Sequence, residues 1–330
     1  MNKNNSISIW RIFFAYVIAA FHFLNAYGYS TSLYLATDFF FIVSGYLLAY
    51  EIESDKWKSS YDMLFSKIKK YYPHYIFSLL VALSLSLFLG KGPEIKNKSL
   101  LLEVFMLQMS GMNLTTLINV PTWYLSVLLI SSFIYYYIYK NYKKALIEFV
   151  IPMFLLIVGA WFYRTYGCLS HSTLGNDITI GVWWNRPLLI GCGMMGIGIL
   201  IFNYQNNRKH VRGGRTIEII LMIIPMVAAF FFSHKVTDYL LIVMISFGVM
   251  YGFNNGECKL ANSGIVQYLS KLSFPIYLNH NMFRELAPYY FENFSLICLI
   301  GYLILITFYS MITMYIVNYT VNIFERKIIK

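Results

Sequence analysis

The chain has 330 residues, 58% of them hydrophobic and 12% charged, with a formal net charge of +11. Soluble domains are about 25% charged. This composition therefore excludes an ordinary soluble domain and predicts a polytopic membrane protein with room for about ten spans of ~20 residues. The positive charge does not read as nucleic-acid binding, because there is no Gly-rich phosphate loop and no basic recognition helix.

Apolar runs fall at 8–27, 34–50, 74–90, 121–139, 146–163, 187–204, 216–232, 236–253, 265–283 and 294–319. They predict an all-α bundle of about ten transmembrane helices forming one membrane-embedded domain over 1–330. No clear cleavage site follows the first run, which is expected to stay as a permanent span. The ninth run is the weakest, carrying Lys271 and Pro275. Loop charge supports it nonetheless. With the N-terminus inside, 18 Lys and Arg fall in inner segments and seven in outer ones, so both termini are expected in the cytoplasm.

The inner loop 51–73 contains Tyr61 to Tyr72, expected as an amphipathic interfacial helix that ends at Pro73. The outer loop 91–120 holds a short apolar piece, Leu100 to Met109, placed in the interface or re-entering. The outer loop 164–186 carries Arg164, His171, Asp177 and Arg186. Gly191, Gly193, Gly196 and Gly198 predict close helix packing in the sixth span. Cys168, Cys192, Cys258 and Cys298 lack metal-ligand spacing, and no metal is expected. Cys168 falls in a loop as a free thiol, and the other three read as small packing residues.

Three ionisable groups lie inside the first two runs: Arg11, His22 and Asp38. Charge in lipid is costly and needs a reason. Arg11 and His22 are eleven residues apart, which on a helix is roughly 20° in azimuth and about 16 Å in height. They share a face, one near a membrane surface and one deep. The turn centres on Ser30, with His22 eight residues before it and Asp38 eight after, so the pair is expected at similar depth. There the carboxylate would orient the imidazole, leaving its other nitrogen free for chemistry. Asp38 reads as the only acidic residue well inside a long apolar run.

Arg11 followed after ten residues by His22, and then Asp38-Phe39-Phe40-Phe41-Ile42-Val43-Ser44-Gly45, strongly resembles the acyltransferase-3 family of integral membrane O-acyltransferases. The likeness is sharp at 11–47, fair at 121–126 and 273–280, and weak between. It implies that His22 is a general base or acyl carrier, with Asp38 orienting it and Arg11 at the inner mouth facing an anionic acyl-coenzyme A. Packing, for Asp38, and an inner anchor or a Glu51 pair, for Arg11, are the bland readings. Lys67 and Lys70 stand where the family has Arg-x-x-Arg before a proline. They fit coenzyme A phosphates or, equally, anionic lipid headgroups. Pro121-Thr122-Trp123-Tyr124-Leu125-Ser126 matches a family stretch, although Leu128 replaces a common Glu, and Trp123 also fits an aromatic belt. Ser273 to His280 resembles a late family motif, and Tyr277, His280 and Arg284 share a helix face. Tyr277, His280, Trp123 and Arg186 are the expected acceptor-binding residues.

The resemblance implies a plasma-membrane enzyme that moves an acyl group, acetyl above all, from cytoplasmic acetyl-CoA to a hydroxyl of a surface glycan. No SGNH hydrolase-like domain is read in the chain, so final transfer falls to these spans or to a partner protein. Two alternatives stay open: a proton- or solute-coupled transporter built on Arg11, His22 and Asp38, and acylation of a lipid or small secreted metabolite.

Overall fold

The computed structural model describes residues 6–88, 97–110, 118–169, 185–207, 214–232, 235–255, 258–290 and 293–328. All regular structure among them is helical. Ten long helices run α1 (Ile7–Ala26), α2 (Ala36–Glu53), α3 (Ser60–Phe88), α5 (Trp123–Ala145), α6 (Ile151–Tyr166), α7 (Arg186–Asn207), α8 (Arg215–Phe231), α9 (Thr237–Asn254), α10 (Gly264–Tyr290) and α11 (Leu296–Ile328), with a short α4 (Asn97–Val104). Seven stretches are long and apolar enough to cross a membrane, one of which, Val120–Tyr166, contains both α5 and α6. The two long helices outside that set are α8, with 17 residues, and α10, which carries Lys271, His280 and Arg284. Each expected run thus has a helix.

α2 is the axis of the bundle. It is apolar on every face, and Phe39, Phe41, Ile42, Val43, Leu48 and Ala49 are all buried. A helix hydrophobic all round must be surrounded by other helices. Its closest neighbour is α7, where glycine lets two backbones touch. A Cβ on Gly45 would collide with the Met195 carbonyl, and one on Gly198 with the Ile42 carbonyl. Gly191 and Gly196 abut Val127 and Tyr135, while Gly193 makes only ordinary contact, so three of the four α7 glycines are tight.

α1 packs against α10 through Ala15 and Ala19, which are fully buried beside Leu272 and Ile276. Small residues one turn apart allow this close approach. Phe14 stacks on Phe39 at 4.1 Å, joining α1 to α2.

Two sequence expectations change here. The segment from Tyr61 is not a separate interfacial helix ending at Pro73; α3 runs straight through that proline. Proline removes one backbone bond, but the long flanking turns carry the helix on. The piece at 100–109 is α4 and a turn that folds back on the bundle. Met106 and Met109 are buried, and the Gln108 amide donates to the Thr122 carbonyl at 2.9 Å.

Candidate active site

A cavity of about 470 Å³ lies between α1, α2, α3, α5, α10 and α11. α2 lines it with Phe40, Val43, Ser44 and Leu47, spaced i, i+3, i+4, i+7 on one face. Arg11 from α1, Lys70 and His74 from α3, and Lys271 from α10 add basic groups. Leu125 and Leu128 of α5 add apolar wall, and Tyr124, Tyr277 and Asn318 add polar contacts. The cations gather where loop charge places the inner side.

At the far end the wall is tied by hydroxyls. Tyr277 donates to the Pro121 carbonyl, and its ring sits 5.4 Å from that of Tyr124. The Tyr124 and Ser44 hydroxyls are 3.3 Å apart. One turn further along α10, His280 is fully buried, with Nδ1 2.7 Å from the Tyr277 carbonyl oxygen. A carbonyl only accepts, so Nδ1 carries the hydrogen and Nε2 the lone pair. His280 Nε2 has no hydrogen-bond partner among the described residues. The His22 ring lies 4.9 Å away, centroid to centroid. Arg284 is within electrostatic reach of both rings.

Arg11 and His22 do share one face. Both look toward α10, Arg11 into the cavity and His22 onto His280. The equal depth expected for His22 and Asp38 is not the register found. Phe14 meets Phe39, Phe21 meets Tyr34, and Arg11 shares the cavity wall with Ser44. Asp38 therefore lies opposite Tyr16, roughly 9 Å nearer the inner side than His22. α1 ends at Ala26 and helical turns resume at Leu33, so the loop itself still centres near Ser30 and the register is set by side-chain packing. Asp38 is fully buried in the first turn of α2. The hydrogen bonds among the described residues do not join it to His22.

The remaining predicted residues divide between wall and periphery. Lys70 lines the cavity, whereas Lys67 does not and has its Nζ 5.9 Å from the Trp57 ring. Glu51 pairs with Lys56 and not with Arg11. Trp123 is buried against Phe41, behind Tyr124. Arg186 opens α7 with its guanidinium 3.6 Å over the Tyr166 ring. Leu128, where many relatives have Glu, is buried in the cavity wall. His171 and Asp177 lie outside the described residues. Cys168 is buried and, like the other three cysteines, not in a disulfide.

Sequence reading missed His74, Lys271, Tyr124 and Asn318 as cavity residues. The signal for Lys271 was its place in an otherwise apolar run. It also missed that Asp38 has company: Glu103, Glu218 and Asp238 are fully buried too. Glu218 accepts from Ser6, Trp10, Arg215 and Asn255. Asp238 accepts from Tyr34 and the Leu169 N–H, and Glu103 from the Ile118 and Asn119 N–H groups. Each joins distant parts of the chain; run-by-run reading gives Glu103 to the 91–120 loop and leaves Glu218 and Asp238 at the edges of the runs 216–232 and 236–253, in the first turns of α8 and α9.

Fold and cavity together define a polytopic helical membrane protein with a polar centre inside the bundle. The sequence profile of the acyltransferase-3 family, described as an acyltransferase domain, matches residues 4–319. The chain belongs to that family and is a membrane acyltransferase. Comparison with curated proteins and with solved structures returns no match.

Proposed function

We propose that this acyltransferase takes an acyl group, acetyl above all, from cytoplasmic acyl-coenzyme A and delivers it to a hydroxyl of an extracytoplasmic glycan at the plasma membrane. The observation that carries the reading is the basic cavity on the inner side, ending one helix turn from His22 and His280. The residues suit the donor. Arg11, Lys70 and Lys271 supply positive charge for phosphates, with Lys67 one turn before Lys70 on α3, and Phe40, Val43, Leu125 and Leu128 suit an apolar arm. When bound, the donor supplies the activated thioester.

His22 takes the proton of the attacking hydroxyl as general base. Arg11 and Lys70 hold the donor from the inner side. Tyr277, at the far end of the cavity, orients the acceptor, while Trp123 backs that wall behind Tyr124. Membrane lipid surrounds the bundle, and a partner protein is not needed for the proton step.

The test is binding and turnover of labelled acetyl-CoA by purified protein in lipid nanodiscs. Lys70→Gln should weaken donor binding about tenfold and lower its salt sensitivity, since a charged contact to phosphate is worth roughly 1.5 kcal/mol. Lys67→Gln should cost less. Unchanged donor affinity in Lys70→Gln, with weaker binding to anionic vesicles, would assign the lysines to lipid headgroups instead.

A further inference from the structure

The proposed reaction gives His22 a proton and leaves open what holds the resulting imidazolium. We infer that His280 does: its Nε2 accepts the hydrogen bond of protonated His22, so the two imidazoles work as one proton-holding pair. The inference rests on the transfer reading above.

Three observations converge on it. The rings are adjacent, 4.9 Å between centroids and inclined by 35°. The His280 tautomer is set by its own helix, because Nδ1 is engaged by the Tyr277 carbonyl at 2.7 Å. Nε2 is then the lone-pair nitrogen, and it is buried without a hydrogen-bond partner among the described residues. A buried acceptor left without a partner is destabilising. The cost is relieved when the N–H of His22 turns toward it, and that bond strengthens when His22 gains a proton on its other nitrogen. The contact is therefore stronger in the charged state than in the resting one, which is where catalysis gains from it.

The surroundings hold His280 in place. The Tyr302 hydroxyl donates to the His280 carbonyl at 2.9 Å. On the next residue back, the Asn279 amide donates to Thr313 at 2.9 Å, pinning α10 to α11. Asp38, the residue that would hold an imidazole in a carboxylate–histidine pair, is opposite Tyr16, on the inner side of His22. His280 takes that place with a neutral group.

The proton balance closes. The acceptor O–H bond breaks and an N–H bond forms on His22. The acceptor oxygen bonds the acyl carbon as the carbon–sulfur bond breaks. His22 then returns its proton to the departing thiolate, and its bond to His280 Nε2 falls back to the weaker neutral form.

His280 is a positioning residue in this scheme, and the test separates that role from packing. His280→Phe keeps a flat ring without the lone pair, and His280→Gln places a carbonyl oxygen near the position of Nε2. Full-length protein in nanodiscs is assayed for thiol release from acetyl-CoA, with donor binding and gel-filtration behaviour as checks on folding. The expected result is a fall in kcat of at least 100-fold for His280→Phe at unchanged donor KM. His280→Gln should stay within about tenfold of wild type. His280→Leu replaces the Phe variant if that one loses its monodisperse peak. Equal rates for the Gln variant and the apolar variant, both folded, would overturn the pairing while leaving the transfer reading intact. A wild-type protein that binds acetyl-CoA but never releases thiol would overturn the transfer reading, and the pairing with it.

Discussion

His22 is a basic ring in the middle of an apolar helix, and lipid tolerates such a group only where something uses it. His22→Ala should abolish transfer while leaving insertion intact, since Ala is at least as acceptable to the bilayer. Full activity in a well-inserted variant would remove His22 from the chemistry. Asp38 stands apart from both imidazoles, opposite Tyr16. Asp38→Asn should lower kcat/KM about tenfold by a route separate from the imidazoles. Its loss should multiply with that of His280→Phe in the double variant, as independent sites do. A double variant no worse than the weaker single one would mean that Asp38 and the histidines act as a unit.

At the scale of elements, the contact between α2 and α7 decides where the site can be. α2 carries the cavity face Phe40-Val43-Ser44-Leu47, and its position depends on backbone contact at Gly45 and Gly198. Gly198→Leu would drive a side chain into the Ile42 carbonyl. Overpacking costs about 1–3 kcal/mol where neighbours can yield, and here the neighbour is backbone. The variant should show a clearly lower thermal midpoint in detergent and weaker donor binding. Gly159→Ala, where nothing lies within 4 Å, should match wild type in both measurements. Two equally stable variants would show that α2 and α7 have room to separate.

For the whole molecule, the distribution of Lys and Arg sets which face is inside. If all ten long helices among the described residues cross, the chain returns to its starting side, and the cavity's cations open to the side that loop charge marks as inner. Single-cysteine labelling should find positions 60 and 210 inside, and 95 and 170 outside. Labelling of 60 and 95 from the same side would break the alternation and move the donor site away from the cytoplasm.

The sequence by itself determined the solvent, the count of long helices among the described residues and the shared face of Arg11 and His22. Apolar runs of about 20 residues must be helices in lipid, and the eleven-residue spacing of Arg11 and His22 puts both on one face whatever they pack against. It could not determine what stands opposite that face. Ring packing of Phe14 on Phe39 shifted the α1–α2 register and carried Asp38 away from His22. The parallel packing of α1 on α10, made by Ala15 and Ala19 against Leu272 and Ile276, brought His280 there instead. Partners more than 250 residues apart are chosen by how helix surfaces fit, and no local periodicity records that choice.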